Sequence, residues 1–173
     1  MSDIAITGLV GVTTSRESRF AAFYQHNIHT LSRTLTASLG DGQLAQDAAQ
    51  EAMARACERW EKIEQYDNPT GWCYRVAMNW ATSRFRKRRR EVITDEMPPP
   101  RTYEAPDLAL QDRVLVALRT LSIEHRSVIV LRLIEDWSIA ETAEALGVAH
   151  GTVQSRYARA LERLRAELGD IHD

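Results

Sequence analysis

A run of aromatic and basic residues near the middle of the chain has the composition of a nucleic-acid surface. The stretch 71–90, GWCYRVAMNWATSRFRKRRR, has Trp72 and Tyr74 near its start and six basic residues in its last seven positions. Aromatic rings can stack on unpaired bases, at about 1–3 kcal/mol per base, while neighbouring cations bind phosphates. A helix C-terminus favours one or two cations through its dipole, but six indicate a large anionic partner. The stretch therefore predicts contact with single-stranded nucleic acid.

The aromatic residues of this stretch also have an ordinary interpretation as core residues. We expect Trp80 to be buried with Cys73, because these positions share one face of a helix. The pattern does not decide whether Trp72 lies in the core or on the nucleic-acid surface. Arg75 and Asn79 fall on the polar side of the same helix, where they could assist in holding a strand.

The strongest local pattern lies near the C-terminus, in SIAETAEALGVAHGTVQSRYARALERLRAEL. Ser138 and Glu141 have capping-box spacing, and Gly147 suits the left-handed residue that ends a helix. After a short turn, a second helix carries Val153 and Tyr157 on its apolar side. This order predicts a helix-turn-helix, whose second helix can enter the major groove of DNA.

The first turns of that second helix carry small and polar residues, as the reading of bases requires. Small residues allow the backbone to approach DNA, amide and hydroxyl groups can bond base edges, and arginines can reach guanine or phosphate. The alternative is an ordinary helical hairpin with a solvated arginine face. The predicted duplex-reading residues are His150, Gly151, Thr152, Gln154, Ser155, Arg156 and Arg159.

Helices are the elements that must position these residues. The chain has 173 residues, of which 44% are hydrophobic and 27% charged, and no stretch alternates polar and apolar residues as a strand would. Apolar residues recur at three- and four-residue steps from Leu44 to Ile63 and again from Leu115 to Ile134, which predicts amphipathic helices. The predicted fold class is all-α, with two small helical domains.

A proline-rich, acidic segment divides the chain. Residues 91–107, EVITDEMPPPRTYEAPD, hold four of the five prolines and five acidic residues against one arginine. Consecutive prolines favour an extended, semi-rigid chain, so this segment is predicted to be a linker. The predicted organisation is a flexible N-terminal extension over 1–15, a first helical domain over 16–90, the linker, and a helix-turn-helix domain over 108–173.

The chain offers few of the groups that catalysis or metal binding needs. Its two cysteines form no C-x-x-C pair, its five histidines have no ligand spacing, and no phosphate-binding glycine motif is present. We therefore expect no metal, no cofactor and no enzymatic activity. No window approaches the roughly 20 apolar residues of a membrane span, and the N-terminus lacks a basic leader. A cytoplasmic protein without membrane insertion is expected.

The motifs resemble those of bacterial RNA polymerase sigma factors of the extracytoplasmic-function (ECF) type, which retain conserved regions 2 and 4. The segment GDGQLAQDAAQEAMARA resembles the family's D-A-E-D-x-x-Q-E-x-F motif, and GWCYRVAMNW resembles W-x-x-R-I-A-x-N. The C-terminal stretch LSIEHRSVIVLRLIEDWSIAETAEALGVAHGTVQSRYARA resembles the region 4 pattern, which is the most specific of the three.

The resemblance implies a division of labour between the two domains. Asp47, Gln50 and Glu51 would dock on the clamp coiled coil of the largest polymerase subunit. Region 2 would capture the melted minus-ten strand, and the helix-turn-helix would read the minus-thirty-five duplex while resting on the polymerase flap. The residues implied for the minus-ten element are Asn68, Trp72, Arg75, Asn79, Arg84, Arg86, Lys87 and Arg88.

Partners and departures from the family pattern follow from the same resemblance. It implies core RNA polymerase and promoter DNA, as duplex and as melted strand, with an anti-sigma factor as a further partner. Ala149 stands where the family often has a serine cap, which should weaken the start of the recognition helix by about 1 kcal/mol. Gln154 stands at a frequently charged position and could bond adenine.

Two other functions are compatible with parts of the sequence. A stand-alone helix-turn-helix regulator would share the duplex-reading element, but its sensor domain would need a ligand pocket or a phosphoacceptor. A recombinase-like enzyme would need a nucleophile with activating partners, or carboxylates that hold a metal. The acidic docking helix and the aromatic and basic helix of the first domain favour the sigma factor.

Overall fold

The computed structural model describes the backbone of residues 4–91 and 110–169, and side chains within 16–87 and 113–169. Every regular element in these residues is a helix and none is a strand, which confirms the predicted all-α class. The predicted linker over 91–107 lies outside the described residues, except for Glu91 at the end of a helix.

Within residues 4–91, four helices form the described first half of the chain. They are α1 (Ile4–Leu39), α2 (Gly42–Glu58), the short α3 (Trp60–Ile63) and α4 (Pro69–Glu91). The backbone of residues 4–15, predicted to be a separate extension, is helical and continuous with the rest of α1. The predicted domain boundary at residue 16 stays a prediction.

A tight turn and a face of small side chains determine how α2 packs. Gly40 has a positive φ of 75° after the end of α1, and Asp41 caps α2 by accepting a hydrogen bond from the Leu44 amide at 2.9 Å. The packed face of α2 is fully buried and rich in alanine, which lets α1 and α4 approach it closely. Its alanines are Ala45, Ala48, Ala49, Ala52 and Ala56.

Within residues 110–169, four further helices and one π-helical turn form the described second half. They are α5 (Leu110–Arg119), α6 (Ile123–Ile129), the π-helical turn (Val130–Ile134), α7 (Ile139–Leu146) and α8 (His150–Leu168). Ser122 caps α6, and Ser138 forms the predicted capping box with Glu141 at the start of α7. Gly147 ends α7 with φ of 65°, in the predicted left-handed conformation.

The two halves pack against each other. Leu131 and Ala145 of the second half are buried in the same apolar cluster as the helices of the first half. The ring of Trp137 meets the ring of Tyr74 edge to face, with centroids 6.1 Å apart. α1 contacts α6, and α4 contacts α7. The structure therefore places α4, which carries the predicted strand-binding residues, against the first helix of the helix-turn-helix.

Candidate nucleic-acid and polymerase interfaces

Asn68 shapes the start of α4. Its side-chain oxygen accepts a hydrogen bond from the Gly71 amide at 2.7 Å, which is the geometry of a helix cap. A side chain at position 71 would not fit this contact, because a Cβ there would lie 2.6 Å from the Asn68 amide nitrogen. Asn68 thus orients the loop that precedes α4, and its predicted contact with DNA stays a prediction.

Two aromatic residues near the start of α4 have opposite environments. Trp72 packs at the edge of the core and remains partly exposed. Tyr74 is fully buried, and its hydroxyl lies 2.8 Å from the Ser38 hydroxyl. Burial raises the pKa of Tyr74 to about 12. The expectation that Tyr74 joins the strand-binding surface is wrong, because its ring has no access to solvent.

The last turns of α4 project basic side chains into solvent. Arg84, Arg86 and Lys87 are exposed, while the side chain of Arg88 lies outside the described residues. Trp80 was predicted to be buried; it packs against the core but is only half-buried, and the Arg84 guanidinium carbon lies 4.5 Å from the centre of its ring. This cation–π contact holds one arginine in place. Exposed cations along a helix end suit a phosphate backbone.

The polar side of α4 faces the second half of the chain. Arg75 donates a hydrogen bond to the Glu144 carbonyl of α7 at 3.4 Å. Arg75 and Asn79 also line one groove with Glu124 of α6 and Arg156 of α8. Asn79 is exposed, whereas Arg75 is half-buried. Arg75 and Asn79, which are predicted to bind the melted strand, therefore lie in the same groove as Arg156, which is predicted to bind the duplex.

Most of the predicted duplex-reading residues lie on the open side of α8. Thr152 and Arg156 are half-buried, whereas nothing lies within 4 Å of a Cβ built on Gly151. Ala149 occupies the N-cap position without a side-chain hydrogen bond, as predicted. Open amides and exposed polar groups at a helix start suit phosphates and base edges. The exposed members of the set are His150, Gly151, Gln154, Ser155 and Arg159.

The predicted polymerase-docking residues share one stretch of α2. Asp47 and Gln50 are exposed, and Glu51 is partly exposed. Gln50 bonds the Tyr24 hydroxyl at 3.2 Å, and Glu51 forms an ion pair with Arg55 at 2.8 Å. Both contacts hold these side chains on the helix surface, which reduces the conformational entropy that docking would remove.

Phe85 was not among the residues predicted to bind DNA or polymerase. Its side chain is 52% exposed, and it lines a cleft with Leu44, Asp47 and Arg84. The available signal was that Arg88 and Arg89, three and four positions later, are charged and share its face of the helix, which indicates an exposed face. The cleft brings together the basic end of α4 and the start of α2.

Other kinds of site find little support in the described residues. Within them, no group of three or more His, Cys, Asp and Glu side chains is placed to hold a metal ion. None of the helices that the structure describes combines the length and apolarity of a membrane span. Cys73 is buried, and burial raises the pKa of its thiol to about 12, which disfavours the reactive thiolate.

Comparisons with known proteins match both halves of the chain. The family model described as Sigma-70 region 2 matches residues 23–91, and that described as Sigma-70, region 4 matches residues 111–164. The RNA polymerase sigma-E factor of Streptomyces coelicolor is 41% identical over 126 residues, which cover 72% of this chain and 71% of that protein. The ECF RNA polymerase sigma factor SigL of Mycobacterium tuberculosis is 33% identical over 168 residues, covering 93% and 95%.

A solved structure also shares the fold. It is the sigma factor RpoE from Bartonella quintana, which was crystallised in complex with the anti-sigma factor NepR. The TM-score is 0.73 at 26% sequence identity, and the match covers 89% of this chain and 99% of that one. The arrangement of the helices is therefore similar over nearly the whole of both chains.

An exposed basic helix end and a helix-turn-helix, within described residues that form only helices, are features of DNA-binding proteins. The two family models and the relatives narrow this class, and the chain belongs to the sigma-70 family, in its ECF group. Members of this family are regulatory factors that associate with RNA polymerase and direct transcription initiation at promoters. The predicted sigma factor function is confirmed, and a stand-alone regulator is not favoured.

Proposed function

We propose that α4 captures the melted minus-ten strand and that α8 reads the minus-thirty-five duplex, once core polymerase holds the chain through α2. The observation that carries the proposal is the exposed basic end of α4, where Arg84 lies over Trp80 and Trp72 remains partly exposed on the same helix. Rings beside cations suit unpaired bases attached to phosphates. The residues proposed to dock on polymerase are Asp47, Gln50 and Glu51.

The proposed strand surface separates into base contacts and phosphate contacts. The exposed part of Trp72 stacks on an unpaired base, and Asn68 at the cap of α4 places the loop beside it. Arg84 and Arg86 neutralise phosphates, which makes strand binding dependent on salt because each neutralised phosphate releases counterions. The further residues of this surface are Arg75, Asn79, Lys87 and Arg88.

The proposed duplex surface is the exposed start of α8. Gln154 and Ser155 bond base edges in the major groove, while Arg159 reaches guanine or phosphate. The Ser155 hydroxyl donates to the Thr152 carbonyl at 3.1 Å, so the serine oxygen is held near the helix and presents acceptor lone pairs. His150, Gly151, Thr152 and Arg156 complete the surface.

The proposed partners and location follow from the same role. The chain acts in the cytoplasm with core polymerase and promoter DNA. Polymerase carries out the catalysis, and this chain supplies no cofactor. An anti-sigma factor is proposed as an inhibitory partner, because RpoE of Bartonella quintana was solved with the anti-sigma factor NepR and resembles this chain over 89% of its length.

Run-off transcription with core polymerase on fragmented genomic DNA tests the proposed function. We expect the chain to direct discrete start sites, and Trp72→Ala to shorten the lifetime of open complexes by about 5- to 150-fold, which corresponds to one base stack. Permanganate reactivity of unpaired thymines measures that lifetime. Trp72→Phe keeps an aromatic ring and should retain most of the open-complex lifetime.

Three outcomes separate the parts of the proposal. Absence of any discrete start site with the unaltered chain would contradict the proposed function as a whole. An unchanged open-complex lifetime in Trp72→Ala, with normal polymerase binding, would contradict the strand-capture role alone. Tight promoter binding without polymerase, together with no polymerase binding, would identify a stand-alone regulator.

A further inference from the structure

We propose that Phe85 is an apolar anchor for core RNA polymerase, in the cleft between the start of α2 and the end of α4. The proposal rests on the proposed function, because it extends the polymerase contact of α2 to a second helix. The occupant of the cleft is an apolar side chain of core polymerase with a basic group beside it. Phe85 belongs neither to the two DNA surfaces nor to the docking residues assigned above.

Phe85 lies on the packed face of α4, beyond the helices that cover this face. Met78 and Ala81, seven and four positions earlier, share its face and are 8% and 0% exposed. Phe85 itself is 52% exposed. Among the described side chains of residues 16–87, it is the only large apolar one that is exposed. Contact with a partner would continue the packing of this face and remove the ring from water, which is favourable.

The cleft beside Phe85 combines apolar and charged side chains. Its volume is about 500 Å³, which is within the range of protein binding sites. Phe85 and the half-buried Leu44, which packs on the core of the first half, form its apolar lining. The rest of the lining is polar or charged, with Asp41, Gln43 and Asp47 at the start of α2 and Arg84 and Lys87 on α4.

Contacts within the chain hold the lining in place before a partner binds. The Asp41 side chain accepts a hydrogen bond from the Leu44 amide at 2.9 Å, and the Gln43 amide donates to the Asp47 carboxylate at 3.0 Å. A carboxylate has about four acceptor sites, so Asp47 can also accept a hydrogen bond from a partner. Side chains that are already held lose less conformational entropy on binding.

The cleft is continuous with the proposed docking residues of α2. Asp47 belongs to both, and Gln43, Asp47, Gln50 and Glu51 recur at helical spacing, which places them on one face. From Gln43 to Glu51 this face extends about 12 Å, at about 1.5 Å per residue. A standard protein interface covers about 800 Å² on each partner, which is wider than this stretch. One polymerase surface can therefore cover the docking residues and the cleft together.

The balance of charge in the cleft favours a protein partner over DNA. Asp41 and Asp47 offset the charges of Arg84 and Lys87. Protein–DNA interfaces are much more positively charged than protein–protein interfaces, which have an apolar centre and a polar rim. Carboxylates also repel phosphates. A basic group of polymerase beside Asp47, with an apolar side chain against Phe85, fits this lining.

Phe85 also lies on a different side of α4 from the proposed strand contacts. At about 3.6 residues per turn, it is roughly 120–140° around the helix from Asn79 and Trp72. A strand that follows Trp72 and Asn79 therefore runs along another side of α4. This arrangement lets α4 contact polymerase and the melted strand at the same time.

Substitution of Phe85 tests the anchor directly. We expect Phe85→Ala to weaken the binding of core polymerase about tenfold in the absence of DNA, as truncation of an interface anchor does. Phe85→Leu keeps an apolar side chain and should lose less than about threefold. Ser83→Ala, at an exposed neighbouring position of α4, is the control and should change the affinity less than twofold. Anisotropy of the N-terminally labelled chain, titrated with core polymerase, measures these affinities.

Two further measurements separate a polymerase contact from other roles of the ring. Urea unfolding followed by circular dichroism should show little change in Phe85→Ala, because the ring is half-exposed in the folded chain. With polymerase in excess, so that the variant is fully bound, the open-complex lifetime should stay within about twofold of the unaltered chain. Unchanged polymerase affinity in Phe85→Ala would overturn the proposal. A shortened open-complex lifetime with that unchanged affinity would also identify DNA as the partner of the ring.

A photoreactive residue in the cleft identifies the partner without an affinity measurement. Phe85→p-benzoylphenylalanine keeps an aromatic ring, and we expect ultraviolet light to join it to a subunit of core polymerase, with or without promoter DNA. Arg86→p-benzoylphenylalanine should instead crosslink to promoter DNA, since Arg86 is proposed to bind phosphates. Crosslinks from position 85 to DNA alone, or to neither partner, would contradict an anchor for polymerase.

The outcomes distinguish this proposal from the proposed function. Failure of the unaltered chain to bind core polymerase would contradict the proposed function and the anchor with it. Normal binding by the unaltered chain, weaker binding by Asp47→Asn and undiminished binding by Phe85→Ala would confine the polymerase contact to α2. That result would overturn the anchor and leave the proposed function intact.

Discussion

The helices α4 and α8 carry the two proposed DNA surfaces, but the structure exposes them to different degrees. Along α8, Gln154, Ser155 and Arg159 face solvent, whereas on α4 the polar face at Arg75 packs against α7. Among the described residues of α4, Asn79 and the basic last turns are as exposed as the start of α8. Residues suited to DNA binding can therefore reach DNA only where the rest of the chain leaves them uncovered.

The largest expected effect concerns Arg126 of α6, which is 8% exposed and donates hydrogen bonds to the Leu118 and Leu121 carbonyls and to the Ser38 carbonyl near the end of α1. Arg126→Met removes the guanidinium donor from the Ser38, Leu118 and Leu121 carbonyls, and we expect a loss of about 3 kcal/mol in the free energy of unfolding. Urea unfolding followed by circular dichroism measures it. The exposed Arg119 provides the control, since Arg119→Met should cost less than about 0.5 kcal/mol. Equal losses would contradict a role for Arg126 at the boundary.

Substitutions on the exposed surface of α8 should change the affinity for promoter DNA rather than the free energy of unfolding. Arg159→Ala removes one base or phosphate contact, and we expect holoenzyme to bind promoter duplex about 2 kcal/mol more weakly, or about 30-fold. Arg163→Ala, one helical turn farther from the start of α8, should change binding less than threefold. Electrophoretic mobility shifts at a fixed salt concentration measure both. Similar losses for both arginines would indicate a general charge effect instead of local recognition.

The two aromatic residues at the start of α4 offer a sharper contrast. Tyr74→Phe removes a buried hydroxyl that bonds Ser38, so we expect a loss of about 1.5 kcal/mol in unfolding free energy with little change in open-complex lifetime. The raised pKa of Tyr74, about 12, favours its neutral form in the folded chain. Stability from this residue is therefore full below its ordinary pKa of about 10 and declines as pH rises toward 12.

Base titration followed by tyrosinate absorbance checks this assignment. One tyrosine of the unaltered chain should ionise only as the chain unfolds, and Tyr74→Phe should remove that step. Tyr66→Phe, at a partly exposed site, is the matched control and should leave the step in place. Retention of the late step in Tyr74→Phe would assign it to another tyrosine.

The smallest expected effect is a gain in stability from a new cap at the start of α8. Ala149→Ser adds a side-chain cap where none is present, and we expect about 1 kcal/mol of added stability, or about 2–4 °C in Tm. Differential scanning calorimetry measures the change. Ala149→Gly should also add stability, but a few tenths of a kcal/mol less than Ala149→Ser, because glycine is nearly as good an N-cap as serine. A serine variant no more stable than the glycine variant would show that the hydroxyl does not reach an amide.

The caps and helices were predictable because each depends on residues close together in the chain. Ser138 and Glu141 satisfy each other across one helical turn, and Gly147 adopts its conformation because it lacks a side chain. The helix-turn-helix follows from these signals and the apolar positions of α8. Its motif was specific enough to indicate the sigma-70 family as well.

The strand-binding surface was predictable only in part. The basic residues at the end of α4 are exposed as expected, but Trp72 and Tyr74 lie in opposite environments. Positions two apart point to nearly opposite sides of a helix, so Trp72 and Tyr74 cannot both lie on one outward face. Which one faces outward depends on Ser38 and Trp137, which pack on Tyr74 from distant parts of the chain.

By itself, the sequence determined the helices, their caps, the basic helix end and the family, because periodicity and capping act over a few neighbouring residues. Only the tertiary structure decided which polar face of α4 is covered and how the two halves meet. That decision depends on pairs such as Arg126 and Ser38, which are 88 positions apart. Packing between such distant residues determines which side chains reach water, and no local pattern encodes it.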